Sequence, residues 1–366
     1  MIYVHIPFCH RKCTYCAFHS AAGKHDMEGY VDALCREIER NAGFFGSPHQ
    51  PRRTLYFGGG TPTLLPLPLL ERIVQQLGLH FDLSHLEEMT IEANPENLSP
   101  EYLDGLRRLH FNRISIGVQS FNDGELKTLN RSHNAQQAVD AIKMAQQAGF
   151  DNISVDLIYG LPAQTVDSWR RCLSLVGTLS IQHLSCYALT IEEGTMLERQ
   201  IETGRVLPAD EETVVAQYEA LCQWAQASGF EQYEISNFCR HGHASIHNSR
   251  YWRREPYLGL GAAAHSFDGN NRRYTPPDTE RYINGDYAYT WDTLSDKDAY
   301  NETVMLGLRT TEGIAKERIA ARWMPHLRQS LQPYMENGLM EETPTHFRPT
   351  HEGLLHADGI ATNIIQ

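Results

Sequence analysis

Cysteine is scarce in this sequence. Eight among 366 residues are too few for a disulfide scaffold. Long apolar runs are missing: none approaches the ~18 residues of a membrane-spanning helix. The N-terminal MIYVHIPFCHRKC lacks the basic start and apolar stretch of a signal peptide, so a reducing cytoplasm is the expected setting. Basic residues are outnumbered, 32 Lys and Arg against 45 Asp and Glu, for a net charge of −13. That balance argues against nucleic acid as a partner. Sequence repeats and low-complexity linkers are also lacking. What is present suffices for a core: 41% hydrophobic residues, with 17 Tyr, 13 Phe and 5 Trp, exclude wholesale disorder. The length allows two domains, or one barrel-sized domain with a small companion.

Short β runs alternate with helical stretches over the first 240 residues. The runs are 2–6, 54–57, 89–93, 114–118, 152–158 and 183–188. Their apolar character predicts strands buried on both faces. Helices are expected at 28–40, 66–77, 99–109, 135–147 and 213–228. In 135–147, Ala138, Ile142 and Ala145 share one stripe, and Gly149 stands where a C-terminal cap belongs. Six strand–helix repeats imply an α/β fold with a parallel sheet and right-handed crossovers. Residues 241–294, rich in Gly, Asn, Arg, Tyr and His, read as a connecting segment packing on the first domain. Residues 295–366 read as a small, mainly helical C-terminal domain, with helices at 300–308, 314–322 and 327–337 and short β pieces at 340–347.

The unusual residues fall at the ends of the β runs, where an α/β barrel places its active site. After the first run come Cys9, Cys13 and Cys16, spaced C-x3-C-x2-C. Three thiolates on one loop can hold three irons of a cubane cluster and leave the fourth open. A structural zinc site would want a fourth protein ligand, which His5, His10 or His19 could supply. Residues 1–25 carry Arg11, Lys12 and Lys24 and no acid, a +3 stretch that suits an anionic centre. After the second run come Gly58, Gly59, Gly60, Thr61 and Pro62. These suit either a close backbone approach to a ligand or a tight βα turn. Glu92, Gln119, Arg131 and Asp156 could line one barrel mouth and hold a zwitterionic, ribose-bearing molecule. Each alone is equally a cap or a salt bridge.

These residues resemble the radical S-adenosylmethionine (SAM) superfamily: C-x3-C-x2-C with Tyr15 before the last Cys, then the Gly58–Pro62 motif. The likeness extends to the oxygen-independent coproporphyrinogen III oxidase-like group through HIPFC at 5–9, GGGTPT at 58–63, GVQSFND at 117–123 and DLIYGLPAQT at 156–165. It implies a partial (β/α)6 radical-SAM barrel followed by the helical C-terminal domain. It also implies a [4Fe–4S] cluster on Cys9, Cys13 and Cys16, and SAM bound by Tyr3, Tyr15, Gly59, Gly60, Thr61, Pro62, Glu92, Gln119, Arg131, Asp156 and Ala188. One-electron cleavage of SAM, fed by a flavodoxin-type reductant, is the implied capacity; no catalytic side chain beyond these is assigned.

Two departures set the chain apart from the oxidase. Phe18 stands where the oxidase has a further Cys, and the first strand starts at Ile2, without the oxidase's covering N-terminal extension. The run His247-Asn248-Ser249-Arg250-Tyr251-Trp252 instead resembles the H-N-x-x-Y-W motif of the haem chaperone branch, and residues 259–266 fit the same branch. That resemblance implies haem as ligand and haem-receiving respiratory proteins as clients. A homodimer and a peripheral membrane association are compatible with it. Haem wants an imidazole, an aromatic face and cations for its propionates. His247, Tyr251 and Trp252 could supply the first two, and Arg250, Arg253 and Arg254 the third. The bland reading is a loop whose His and Asn cap a turn and whose aromatics fill core. His241, His243 and His265 are competing ligands. Three other functions stay open: coproporphyrinogen III decarboxylation, another radical-SAM reaction on a tetrapyrrole such as anaerobic ring-opening methylation, and a zinc-stabilised binding protein.

Overall fold

The computed structural model describes residues 1–23, 25–46 and 53–366, so Lys24 lies outside the described residues. Six parallel strands follow one another in space as in sequence: β1 (Ile2–Ile6), β2 (Thr54–Gly59), β3 (Glu88–Ala93), β4 (Arg113–Gln119), β5 (Ile153–Tyr159) and β6 (His183–Ala188). Helices Met27–Arg40, Leu67–His80, Pro100–Arg108, Ala135–Gln147 and Val166–Val176 make the crossovers. The sheet runs beyond the expected six strands. On one edge, β7 (Glu231–Gln232) and β8 (Asn237–Cys239) add antiparallel to β6. On the other, β9 (Leu258–Leu260) pairs parallel with β1, Ile2 opposite Leu258. The segment 241–294 therefore supplies a strand of the barrel sheet as well as packing on it.

The strands are buried on both faces, but the two faces differ in chemistry. One carries Ile2, Val4 and Ile6, Leu55 and Phe57, Met89 and Ile91, and Ile114, Ile116 and Val118, all in the main apolar core beneath the helices. The other carries Tyr3 and His5, Thr54 and Tyr56, Thr90 and Glu92, Arg113 and Ser115, Ser154 and Asp156, and His183 and Ser185, so the barrel interior is polar. Register keeps these groups together across the sheet: Thr54 faces Glu88, Glu92 faces Ser115, and Asp156 faces Ser185.

Helix ends follow local chemistry. Asn134 caps Ala135–Gln147 in a reciprocal capping box with Gln137, and Gly149, just beyond the helix, takes a φ of +84°. Two segments depart from expectation. Residues 246–252 form a helix capped by Ser245, whose hydroxyl accepts from the Asn248 N–H. Residues 314–322 do not form one helix. Ile314 and Ala315 instead pair antiparallel with Phe347 and His346, and only a 3-10 turn, Lys316–Arg318, follows. Gly313 at φ +83° leads the chain into that pairing, where the Phe347 carbonyl leaves no room for a Cβ. The C-terminal region has its own core, built from Tyr300, Val304, Leu308, Leu327, Leu331, Phe347 and Ile360.

Candidate functional site

The three clustered cysteines sit on a loop pinned at several points. Phe8–Cys9 pairs with Ala21–Ala22, and the Ala21 N–H donates to the Pro7 carbonyl at 2.7 Å. The Thr14 N–H and hydroxyl donate to the carbonyls of Leu129 and Thr128, at 3.2 and 3.1 Å. The Asn130 side chain holds the Lys12 carbonyl at 2.9 Å, and the Leu197 N–H donates to the Thr14 carbonyl at 2.8 Å. So fixed, Cys9, Cys13 and Cys16 line one cavity of about 670 Å³ together with Tyr15, Gly59, Gly60, Thr61, Glu92, Gln119, Arg131, Asp156 and Ala188. That volume suits a small-molecule ligand. Two of the SAM residues that the resemblance implies stand back from it. Pro62 begins the 3-10 turn behind Thr61, and Tyr3 lies below Gly58, its ring 6.0 Å from that of Tyr56.

The glycines are required by contact. A Cβ on Gly60 would stand 2.6 Å from the Phe8 carbonyl oxygen and 3.0 Å from Cys9 Sγ. Gln119 adopts φ +66° where the β4–β5 register shifts between Gly117 and Gln119. Such a bulge re-aims the strand end towards the cavity, at a backbone cost that sites of function commonly carry.

Polar groups converge on the same space. Arg131 Nη1 stands 3.3 Å from Cys13 Sγ, and its Nη2 donates to Asn94 Oδ1 and the Gly117 carbonyl, each at 2.6 Å. Its Nε is buried and has no hydrogen-bond partner among the described residues. The Thr61 hydroxyl lies 3.7 Å from Cys9 Sγ. Glu92 accepts from the Tyr56 hydroxyl at 2.8 Å and the Gly59 N–H at 3.1 Å. Burial pushes its carboxyl up to about 7; the Tyr56 hydrogen bond opposes the shift and Asp156 adds to it. Asp156 accepts from Ser115 and Ser154, and burial raises it too. The orphaned Arg131 Nε, the crowded glycine cradle and three thiols on one wall fit a thiolate-bound cluster beside a zwitterionic ligand. Asn94, Ser115 and Tyr187 also line the cavity, beyond the residues that the resemblance implies. Alternating polarity along β4 was the signal for Ser115.

Two of the three histidines that could complete a zinc site, His5 and His19, are engaged elsewhere. Among the described residues, no three His, Cys, Asp or Glu side chains close on one point as a metal ion requires. His5 is committed through both ring nitrogens, to the Tyr3 hydroxyl and the His19 carbonyl, and His19 Nε2 to Thr279. The five remaining cysteines are free thiols away from this loop, three of them buried.

The 247–252 motif lies elsewhere, at the barrel floor. His247 is 1% exposed, with Nδ1 2.9 Å from the Thr54 hydroxyl and Nε2 3.1 Å from the Tyr251 hydroxyl. Burial holds its imidazole well below the ordinary histidine range. Tyr251 packs edge-on against His247 and Tyr257. Trp252 lines a second cavity against the C-terminal region, with Arg309 over its ring. Arg250, Arg253 and Arg254 are each paired with a glutamate: Glu255, Glu312 and Glu302. Phe18, by contrast, stands 71% exposed at the rim of the cysteine cavity.

Residues 3–176 match the Radical SAM superfamily and residues 294–356 the HemN C-terminal domain. The chain is 33% identical over 364 residues to the haem chaperone HemW of Bacillus subtilis, with 96% of each chain covered. It is 33% identical over 396 residues to the haem chaperone HemW of Synechocystis, covering 98% of this chain and 94% of the relative. The structure of coproporphyrinogen III oxidase (HemN) from Escherichia coli, a radical SAM enzyme, matches with a TM-score of 0.86 at 24% identity, over 100% of this chain and 89% of that one. That likeness establishes the fold.

Proposed function

The chain belongs to the HemW family of radical SAM haem chaperones, and from that premise we propose that it binds haem and hands it to haem-dependent respiratory proteins. Cys9, Cys13 and Cys16 would hold a [4Fe–4S] cluster, and SAM would occupy the cavity beside them. Once bound, the cluster supplies single electrons and an open iron able to chelate SAM. The chain's own residues do the rest. Arg131 faces Cys13 and offers an unpartnered N–H to a carboxylate. Glu92 and Asp156 present carboxylates to ammonium and hydroxyl groups, and Gly59, Gly60 and Thr61 let the ligand approach the backbone. Tyr15 and Ala188 close the walls, and Gln119 aims the end of β4. Tyr3 and Pro62 support the cavity from behind.

Residues 1–240 are proposed as the barrel, 241–294 as the connecting segment and 295–366 as the C-terminal domain. His247, Tyr251 and Trp252 would form the motif that governs haem. A ligand role for His247 would require its helix to leave the barrel floor, since both ring nitrogens are engaged. A flavodoxin-type reductant would serve as electron donor.

The observation that supports the chaperone reading over the decarboxylase is the near full-length likeness to curated haem chaperones. Phe18 in place of the oxidase's further cysteine agrees with it. Anaerobic incubation with SAM, with coproporphyrinogen III and haem supplied separately, tests it. Bound and transferable haem without porphyrinogen product is the expected result. Harderoporphyrinogen or protoporphyrinogen formation would return the chain to the decarboxylases. A colourless protein with stoichiometric zinc would overturn the cluster.

A further inference from the structure

The barrel interior joins the motif at its floor to the cavity at its mouth through three side chains. Strands β2 and β3 pair in register, Thr54 opposite Glu88 and Tyr56 opposite Thr90. Glu88 and Glu92 lie on one face of β3, about 13 Å apart along a strand rising ~3.3 Å per residue. At the floor, Glu88 fixes the start of the motif helix: it accepts from the Ser245 hydroxyl at 3.2 Å and from the N–H groups of Ile246 and His247 at 2.7 and 3.0 Å. Thr54 and Tyr251 then orient the His247 ring. That ring lies against Tyr56, with centroids 5.0 Å apart and planes inclined by 31°. Tyr3 stacks against Tyr56 at 6.0 Å. Tyr56 is thereby held at the height where its hydroxyl donates to Glu92 Oε1 at 2.8 Å.

We infer that His247 is a positioning residue for the SAM site: its ring holds Tyr56 so that the Tyr56 hydroxyl orients Glu92. The inference rests on the reading of Glu92 as a SAM-binding carboxylate. Emptying the His247 position gives the Tyr56 ring room to drop towards the floor, which withdraws the hydroxyl and leaves Glu92 with the Gly59 N–H alone. The motif then sets SAM affinity at the opposite end of the barrel. Coupling of this kind passes through packed side chains and is measured as a non-additivity. A histidine that merely fills the floor would, on removal, lower stability without changing SAM affinity in the folded protein.

The test uses the full chain, reconstituted anaerobically. SAM binding is read by equilibrium dialysis and by the change SAM causes in the spin-resonance signal of the reduced cluster. Iron content and melting temperature report integrity. His247→Ala and Tyr56→Phe should each weaken SAM binding about tenfold, inside the roughly 5- to 150-fold range of inter-site couplings. The double variant should bind no more weakly than the weaker single one. His247→Phe keeps a ring under Tyr56 without ligating nitrogens, and should retain near wild-type SAM affinity. Unchanged affinity in folded His247→Ala would overturn the inference, as would losses that multiply in the double variant. If His247→Ala fails to fold, the remaining variants decide: His247→Phe as weak as Tyr56→Phe contradicts the inference, and retained affinity supports it. A wild-type protein that binds no SAM would instead remove the reading of the cavity on which the inference rests.

Discussion

Arg131 Nη1 points at Cys13 Sγ from 3.3 Å, and its other amino group is fixed by Asn94 and the Gly117 carbonyl at the end of β4. A buried cation is thus built against one of the three thiols proposed to hold the cluster. Reduction adds negative charge to a thiolate-bound cluster, so this cation favours the reduced state. Arg131→Met should lower the cluster's reduction potential, seen in a spin-resonance redox titration. It should also weaken SAM binding by about ten- to a hundredfold, as expected for a lost charge-assisted contact of roughly 1.5–3 kcal/mol.

Gly60 packs against the loop of the three clustered cysteines and lines the cavity. Its missing Cβ would collide with the Phe8 carbonyl and Cys9 Sγ. Backbone cannot yield as a side-chain tip can, so Gly60→Ala should displace the Cys9 side of the loop at a cost of about 1–3 kcal/mol. Iron and sulfide analysis after anaerobic reconstitution should fall well below wild type.

Glu92 titrates at about 7 because burial disfavours its charge. Tyr56 and the Gly59 N–H stabilise the carboxylate, Asp156 opposes it and Arg113 favours it. Below that pH the group is protonated, and a ligand that needs the carboxylate must displace the proton. SAM affinity should therefore rise with pH up to about neutrality, by at most about tenfold per pH unit, and level off above. Glu92→Gln should bind more weakly and show no such slope. Isothermal titration from pH 6 to 8 checks both.

The core of the C-terminal region is distinct from that of the barrel, and Phe347 lies fully buried within it. Phe347→Ala should cost about 3–5 kcal/mol there. Limited proteolysis should then cut first beyond residue 295, while the remaining barrel keeps its iron and its SAM affinity. Loss of iron in step with the C-terminal cleavage would mean that the two regions fold as one unit.

The strands were legible because short apolar runs ending in polar or glycine-containing turns leave few alternatives. β1 and β6 coincide with their expected limits, Ile2–Ile6 and His183–Ala188. The cysteine spacing and the strand-end motifs placed most of the cavity wall. The polar barrel interior was less visible, although R-I-S-I-G-V-Q in β4 alternates strictly. Alternation says that two faces differ, but only closure of the sheet turns the polar face inward. β9 was hidden because three residues, Leu258–Leu260, carry no period of their own, and their partner Ile2–Val4 lies some 250 residues away. The 314–322 segment departs from the expected helix for a related reason. Its apolar residues suit a helix locally, and pairing with Phe347 decides otherwise. His247 was legible as a special residue but not as a buried one. Its burial depends on Thr54, Tyr56 and Glu88, which the chain brings against it from far away.

Haem transfer tests the proposed function most directly. The anaerobically reconstituted protein, loaded with haem and SAM, is mixed with an apo haem acceptor, and the acceptor's Soret band is followed. Transfer faster than from free haem is expected, with coproporphyrinogen III left unchanged in a parallel incubation. Failure to bind haem, or conversion of coproporphyrinogen III to a decarboxylated product, would contradict the chaperone reading.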